Sequence, residues 1–338
     1  MSSPLASAIK LLTRRLDLDA EHTARAFGVV MRGEAEAGQI AALLLGLKEK
    51  GETADEVAGA AQALRQAMLR VTPAMGGPLV DTCGTGGGTV STFNISTAAA
   101  LVIAGADAQV AKHGNRSYTS KCGSADVLEA LGIFINHDAE GAARQLNEVG
   151  MTFLFAPTYH PAMRHVGPVR KQLGVATIMN LLGPLANPAG VQRQVIGVAD
   201  PARGPLMAEA LVRLGVDHAM VVHGEGMDEI SPLGKTSVWE VQDGAVKTWT
   251  LDPSDHGFAG GDLASLRGGT PEENAGRIVE LVEGRDTGLG RTAVLLNAGA
   301  GLYVAGLAGT IGDGIRLATA TLMAGKAARV LGHLRGAR

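Results

Sequence analysis

Apolar side chains in the first 70 residues recur at helical spacing, and no alternating run there reads as a strand. Leu5, Ile9, Leu12 and Leu16 make one face of a first helix. Asp19 caps a second helix that runs to Arg32, and a third spans about 37–50, ended by Gly51. Thr53 and Glu56 form a capping box for a fourth, each side chain serving backbone N–H groups at the helix start. The stretch 71–78, with two prolines and two glycines, reads as a linker or hinge. Beyond it the pattern changes to short apolar runs, glycine-bearing turns and helical runs, the alternation of a mainly parallel sheet covered on both faces. Strands are expected at 79–80, 108–111, 193–199 and 218–223, with a helix at 206–214. A hairpin is expected over 239–251 around Asp243 and Gly244. Thr270 and Pro271 open another helix, and two alanine-rich helices close the chain.

The segment 160–188 interrupts this alternation. Residues 160–170 are helical and basic, and 179–188 are rich in turn residues. Such an insertion between two strands is expected to pack back onto the N-terminal helices. The expected architecture is therefore α/β with two domains. A small all-helical domain, 1–70 joined by part of 160–190, lies beside a large domain, 71–338, with a mainly parallel sheet flanked by helices.

Hydrophobic residues at 46% and charged residues at 19% give the chain enough apolar surface for a sizeable core and argue against disorder. A net charge of −3 and 3% aromatics argue against nucleic-acid binding, which needs a basic surface and stacking platforms. Cys83 and Cys122 make no disulfide framework and read as small, reduced filler. No signal-peptide pattern opens the sequence, and the most apolar run, 98–105, is too short to span a bilayer. A cytoplasmic protein without a membrane partner is expected.

Candidate chemistry concentrates in two glycine-bearing segments. The first is Asp81-Thr-Cys-Gly-Thr-Gly-Gly-Gly88, followed by Thr92-Phe-Asn-Ile-Ser-Thr97. The second is Lys112-His-Gly-Asn-Arg-Ser117. Each follows an apolar run and leads into a helical stretch. Glycines at a strand end let backbone N–H groups converge on an anion, and a helix start adds its positive end. With Lys112, His113 and Arg116 beside them, the two segments suit a ligand carrying several phosphates. Asp228 and Glu229 follow a strand and a glycine-rich turn. Adjacent carboxylates are usually a solvated surface pair, but in a phosphate site their hard oxygens suit magnesium.

Seven motifs stand in order: the three just quoted, Gly123-Ser-Ala-Asp-Val-Leu-Glu-Ala-Leu-Gly132, His160-Pro-Ala-Met163, Asn180-Leu-Leu-Gly-Pro-Leu185 and His223-Gly-Glu-Gly-Met-Asp-Glu229. Together they strongly resemble the anthranilate phosphoribosyltransferases, over essentially the whole chain. The resemblance implies that the amine of anthranilate displaces pyrophosphate from C1 of phosphoribosyl diphosphate (PRPP), with Mg2+ as cofactor, in tryptophan biosynthesis. It also implies a homodimer formed through the small helical domain.

By the same resemblance, Gly84, Gly87, Gly88, Thr92, Asn94, Ile95, Ser96 and Thr97 meet the diphosphate. Lys112, His113, Gly114, Asn115, Arg116, Ser117, Tyr118, Thr119, Ser120 and Ser124 meet the remaining phosphate and ribose groups. Arg170 offers a planar fork to the anthranilate carboxylate. Asn115 supplies a polar contact near the amine, and Gly84 leaves room for the ring. Asp228 and Glu229 hold one metal ion and the Ser96 hydroxyl meets another. An aromatic amine is neutral at pH 7, so His113 and His160 are expected to position substrate rather than act as strong bases. Two positions depart from the commoner family pattern. Gly88 stands where an aspartate is usual, and Ala176 stands where an arginine is usual. Two other readings use the same fold: a pyrimidine nucleoside phosphorylase-like enzyme, and a nucleic-acid-binding relative that would need a basic face.

Overall fold

The computed structural model describes residues 3–74, 77–88, 90–117 and 121–337. Four helices come first: α1 (Pro4–Leu12), α2 (Ala20–Met31), α3 (Ala37–Lys50) and α4 (Ala54–Ala67). Their expected ends are observed. The Asp19 carboxylate accepts the His22 N–H at 2.7 Å. Thr53 and Glu56 exchange both capping-box bonds, at 3.3 and 2.8 Å. Gly51, at φ +89°, ends α3. The first helix is shorter than its apolar spacing predicts. It stops at Leu12, the chain turns at Arg15 (φ +55°), and Leu16 is left 42% exposed.

The sheet contains β1 (Leu79–Gly84), β2 (Gln109–Gly114), β3 (Met151–Phe155), β4 (Arg193–Gly197), β5 (His218–Gly224), β6 (Thr236–Gln242) and β7 (Ala245–Leu251). Their order is β3-β2-β1-β4-β5-β6-β7. The first five are parallel, and β6 and β7 add an antiparallel hairpin at one edge. The hairpin turns at Asp243 (φ +53°) and Gly244 (φ +73°), the left-handed pair that a tight two-residue turn requires.

Three corrections matter for the site. First, β1 and β2 run further than the apolar runs suggest, so Asp81–Gly84 and Lys112–Gly114 lie on strands rather than in loops. Second, the stretch at 179–188 begins as a helix, with Pro184 inside it. Third, three helices rather than two close the chain after Pro271–Val282: Leu289–Val304, Ile311–Met323 and Lys326–Gly336. Gly306 and Gly325, both at positive φ, break what reads as one alanine-rich run. The stretch read as a linker is tied down at its start, where Val71 is buried and its N–H donates to the Pro188 carbonyl at 3.0 Å.

Side chains alternate across the sheet. Val80, Val110, Phe153, Val195 and Met220 face a core filled by Ile95–Gly105 and the C-terminal helices. Ile196, Ala219 and Val221 face the other side and share a core with Leu5, Phe27, Leu43 and Leu64 of the first four helices. Val166 and Val169 of helix Met163–Leu173, with Leu181 and Leu182 of helix Met179–Leu185, join that same core. The inserted segment therefore packs onto the N-terminal helices.

Candidate active site

β2, β1, β4 and β5 are neighbours in the sheet, and each ends in a glycine: Gly114, Gly84, Gly197 and Gly224. The chain winds outward from β1 in both directions, so their C-terminal edge is a topological switch point, where open α/β sheets hold ligands. The glycines permit close packing across that edge. A β-carbon on Gly197 would fall on the Asp228 backbone, one on Gly84 on the Asp228 carboxylate, and one on Gly114 on the Ser124 hydroxyl.

The metal-candidate pair reaches the edge through a tight turn after β5. Gly224 and Met227 pair their backbones at 2.9 and 3.1 Å, with Glu225 (φ +52°) and Gly226 (φ +78°) between them. The Asn297 side chain then grips both the N–H and the carbonyl of Ile230, each at 3.0 Å. Held from both ends, Asp228 Oδ2 accepts the Gly86 N–H at 3.0 Å and Glu229 Oε1 accepts the Ser96 N–H at 3.2 Å. Burial raises the Asp228 carboxyl above its usual range. Burial and the neighbouring Asp228 push Glu229 up to about 8. Two hard carboxylates and the Ser96 hydroxyl gathered at one phosphate-type loop fit magnesium, which takes few protein ligands and keeps waters. Among the described residues, no cluster of three or more His, Cys, Asp or Glu side chains is built to hold a metal.

Lys112 lies on β2, only 1% exposed. Its ammonium donates to the Thr82 carbonyl and lies 3.4 Å from the Ser96 hydroxyl. Burial lowers its pKa, opposed by the nearby Asp81, Cys83 and Glu229. The first loop turns at Gly86 (φ +68°) and Gly87 (φ +82°). Gly88 lies against the carboxylate turn, since a β-carbon there would meet the Gly226 carbonyl at 3.2 Å and Asp228 Oδ1 at 3.4 Å. Ile95, Ser96 and Thr97 form the first turn of their helix, with Asn94 at its cap position. The Asn94 side chain is turned to Asn274 (2.9 Å) and Cys122 (3.3 Å). Thr92 pairs across an isolated bridge with Arg267.

In the second segment, Asn115 accepts from the Ser124 hydroxyl at 3.3 Å through its backbone carbonyl, and from the Arg116 N–H at 2.8 Å through its side chain. Ser117 donates its N–H to Asp126 at 3.2 Å. Arg116 is exposed, and its guanidinium pairs with Asp126 at 2.9 Å and with Glu129. Those carboxylates raise its pKa further. Tyr118, Thr119 and Ser120 lie outside the described residues.

His113 and His160 meet on the opposite face of the sheet from Lys112, with Nε2 atoms 3.2 Å apart. His113 Nδ1 lies 3.1 Å from the Gly183 carbonyl, which only accepts. The neutral His113 ring therefore carries its proton on Nδ1, and its Nε2 accepts from His160. Burial lowers His113 to about 3, helped by His160, and lowers His160 to about 4. Both rings are neutral at pH 7. Arg170 sits half-buried in the last turn of helix Met163–Leu173, which packs mainly on α2 and α3. Cys83 and Cys122 form no disulfide, and burial raises both pKa values, Cys122 to about 11, which leaves the thiols unreactive.

Asp81 opens the first motif, and nothing in the sequence marks its role. It is fully buried, and its carboxylate accepts the His113 N–H at 3.2 Å and the Asn187 side chain at 2.8 Å. Asn187 also donates to the Ala111 carbonyl at 2.8 Å. The paired register of β1 and β2 stops at Val80 and Val110, so these side chains bridge the strands where they part. Asn187 lies 106 residues from Asp81, and no local pattern joins them.

Comparison with known proteins agrees with this geometry. Family models described as the α/β domain and the helical bundle domain of a glycosyl transferase family match residues 76–328 and 6–68. The chain is 50% identical to the anthranilate phosphoribosyltransferase of Herpetosiphon aurantiacus, over 95% of each sequence. It is 47% identical to that of Methanocorpusculum labreanum, over 98% of this chain and 97% of the relative. The chain belongs to the anthranilate phosphoribosyltransferase family. The Thermus thermophilus member superposes with a TM-score of 0.93 at 42% identity, covering 97% of this chain and 98% of that one. The Saccharomyces cerevisiae member, solved in complex with PRPP and Mg, superposes at 0.90 with 28% identity, covering 100% and 98%. The family assignment favours the transferase over the two other readings on the same fold. No helix among the described residues is long and apolar enough to cross a membrane.

Proposed function

We propose that this protein transfers the phosphoribosyl group of PRPP to the amine of anthranilate, releasing pyrophosphate, in tryptophan biosynthesis. The observation that carries the reading is the convergence at one sheet edge of a glycine-turned loop, a helix start, the buried Lys112 and the Asp228–Glu229 pair. That set suits a diphosphate. Fixed N–H dipoles and a lysine stabilise charge that develops as the C1–oxygen bond breaks, with no reorganisation at the moment of reaction. Asp228, Glu229 and the Ser96 hydroxyl would hold magnesium, which would supply charge neutralisation for the leaving diphosphate.

The acceptor side is built from Arg170 and Asn115; Gly84 packs against the Asp228 carboxylate and so leaves no room for the ring, contrary to the expectation from sequence. The arginine fork takes the anthranilate carboxylate, which aims the amine at C1. Nitrogen supplies the electron pair for the new bond and loses a proton once it is made. Because the amine is already neutral, His113 and His160 act by placement. The departures at Gly88 and Ala176 remove a carboxylate beside the diphosphate and a positive charge near the acceptor. They leave the loops, Lys112, Arg170 and Asp228–Glu229 in place. A cytoplasmic homodimer formed through the small helical domain completes the proposal, and light scattering on a size-exclusion column tests the dimer.

The discriminating experiment measures pyrophosphate release from PRPP with Mg2+ and anthranilate, beside phosphorolysis of pyrimidine nucleosides. Anthranilate-dependent release with no phosphorolysis is expected. Nucleoside cleavage without anthranilate-dependent release would replace this reading with the phosphorylase.

A further inference from the structure

Both carboxylates of the metal-candidate pair are bonded to backbone donors that the diphosphate reading needs. Asp228 accepts the Gly86 N–H on the glycine-turned loop, and Glu229 accepts the Ser96 N–H in the first turn of its helix. A first-turn N–H has no acceptor within its own helix, and such donors attract phosphate or carboxylate alike. Two carboxylates from one dipeptide therefore sit where two phosphate oxygens would. We infer that Asp228 and Glu229 are specificity determinants that occupy the diphosphate's donors, so that the site takes a metal-charged diphosphate and refuses a metal-free one.

The backbone of the pair is fixed, so any change of partner falls to the two carboxylate side chains. The Gly224–Met227 turn and the Asn297 bonds to Ile230 fix the dipeptide from both sides, and Gly197 lets its backbone pack directly on β4. A metal-free diphosphate meets two carboxylates with their donors already taken. A divalent cation gives those oxygens a different partner and returns the N–H groups to the ligand. This inference rests on the diphosphate reading of the loop.

Calorimetric titration with inorganic pyrophosphate, in chelator and in excess Mg2+, tests it without turnover. The wild-type protein should bind measurably in Mg2+ and at least about tenfold more weakly in chelator, as expected when charge-assisted donors are withheld. Asp228→Ala/Glu229→Ala should bind metal-free pyrophosphate about tenfold more tightly than wild type, because its donors are free. An unfolded chain cannot gain such binding. Asp228→Ala alone, which frees only Gly86, should gain a smaller step in the same direction. Asp228→Asn/Glu229→Gln should gain less than the alanine pair, since its amide oxygens still hold the N–H groups. Equal gains in the amide and alanine pairs would overturn the inference by assigning the effect to charge alone. No gain in either alanine variant would overturn it outright. Wild type that binds no pyrophosphate even in Mg2+ would instead refute the diphosphate reading beneath it.

Discussion

A β-carbon on Gly84 would fall on the Asp228 carboxylate, so β1 and the turn after β5 are packed with no space for a methyl group. Gly84→Ala should push Asp228 off the Gly86 N–H. Overpacking of this kind costs about 1–3 kcal/mol of stability. Displacing a site residue by an ångström costs roughly a hundredfold in rate. Denaturant melts and steady-state kinetics check both, and a variant with wild-type turnover would show that the packing is dispensable.

Asp81 bridges β1 to β2 where the two strands part, through the His113 N–H and through Asn187 to the Ala111 carbonyl, on either side of Lys112. Asp81→Asn leaves an amide donor facing an amide donor, a loss of roughly 1–3 kcal/mol. PRPP affinity should fall with it, because Lys112 loses its register. Asn187→Ala should do the same, and the double variant should lose far less than the sum, since both act on one bridge. Additive losses would mean that the two residues act separately.

His113 and His160, lowered by burial to about 3 and about 4, take up protons more readily in the unfolded chain, at about 6.5. Their contribution to stability is therefore complete above pH 6.5 and is lost as pH falls toward 4. The wild-type melting temperature should drop across this window more steeply than that of His160→Gln, which has one fewer such group. Carboxylates titrate in both proteins and cancel in the difference. Parallel curves would contradict neutral, buried rings.

Arg170→Ala removes the charged partner of a carboxylate, worth roughly 1.5–3 kcal/mol, or about one to two decades in affinity. The anthranilate KM should rise by that factor while the PRPP KM holds. Equal weakening of both substrates would place Arg170 in folding or closure. No change in either would remove it from the acceptor site, where Ala176 already departs from the family pattern.

The helical ends were legible in the sequence because capping is local. Asp19, Thr53, Thr270 and Gly51 act within one turn of their own backbone. The hairpin at Asp243 and Gly244 was legible for the same reason. The strand ends were not, because glycine, lysine and histidine at 112–114 read as loop until β3 and Asp81 supply their partners. Glu129, which engages Arg116, stands thirteen residues away, and Asn297, which pins the carboxylate turn, stands 67 residues from Ile230. Such contacts exist only once the sheet has formed.

The most direct test of the whole account follows anthranilate fluorescence in the presence of purified protein, PRPP and Mg2+. The account predicts a decay that needs all three and that leaves pyrophosphate in amount equal to the anthranilate consumed. Fluorescence that persists while the folded protein and both substrates are present would contradict it.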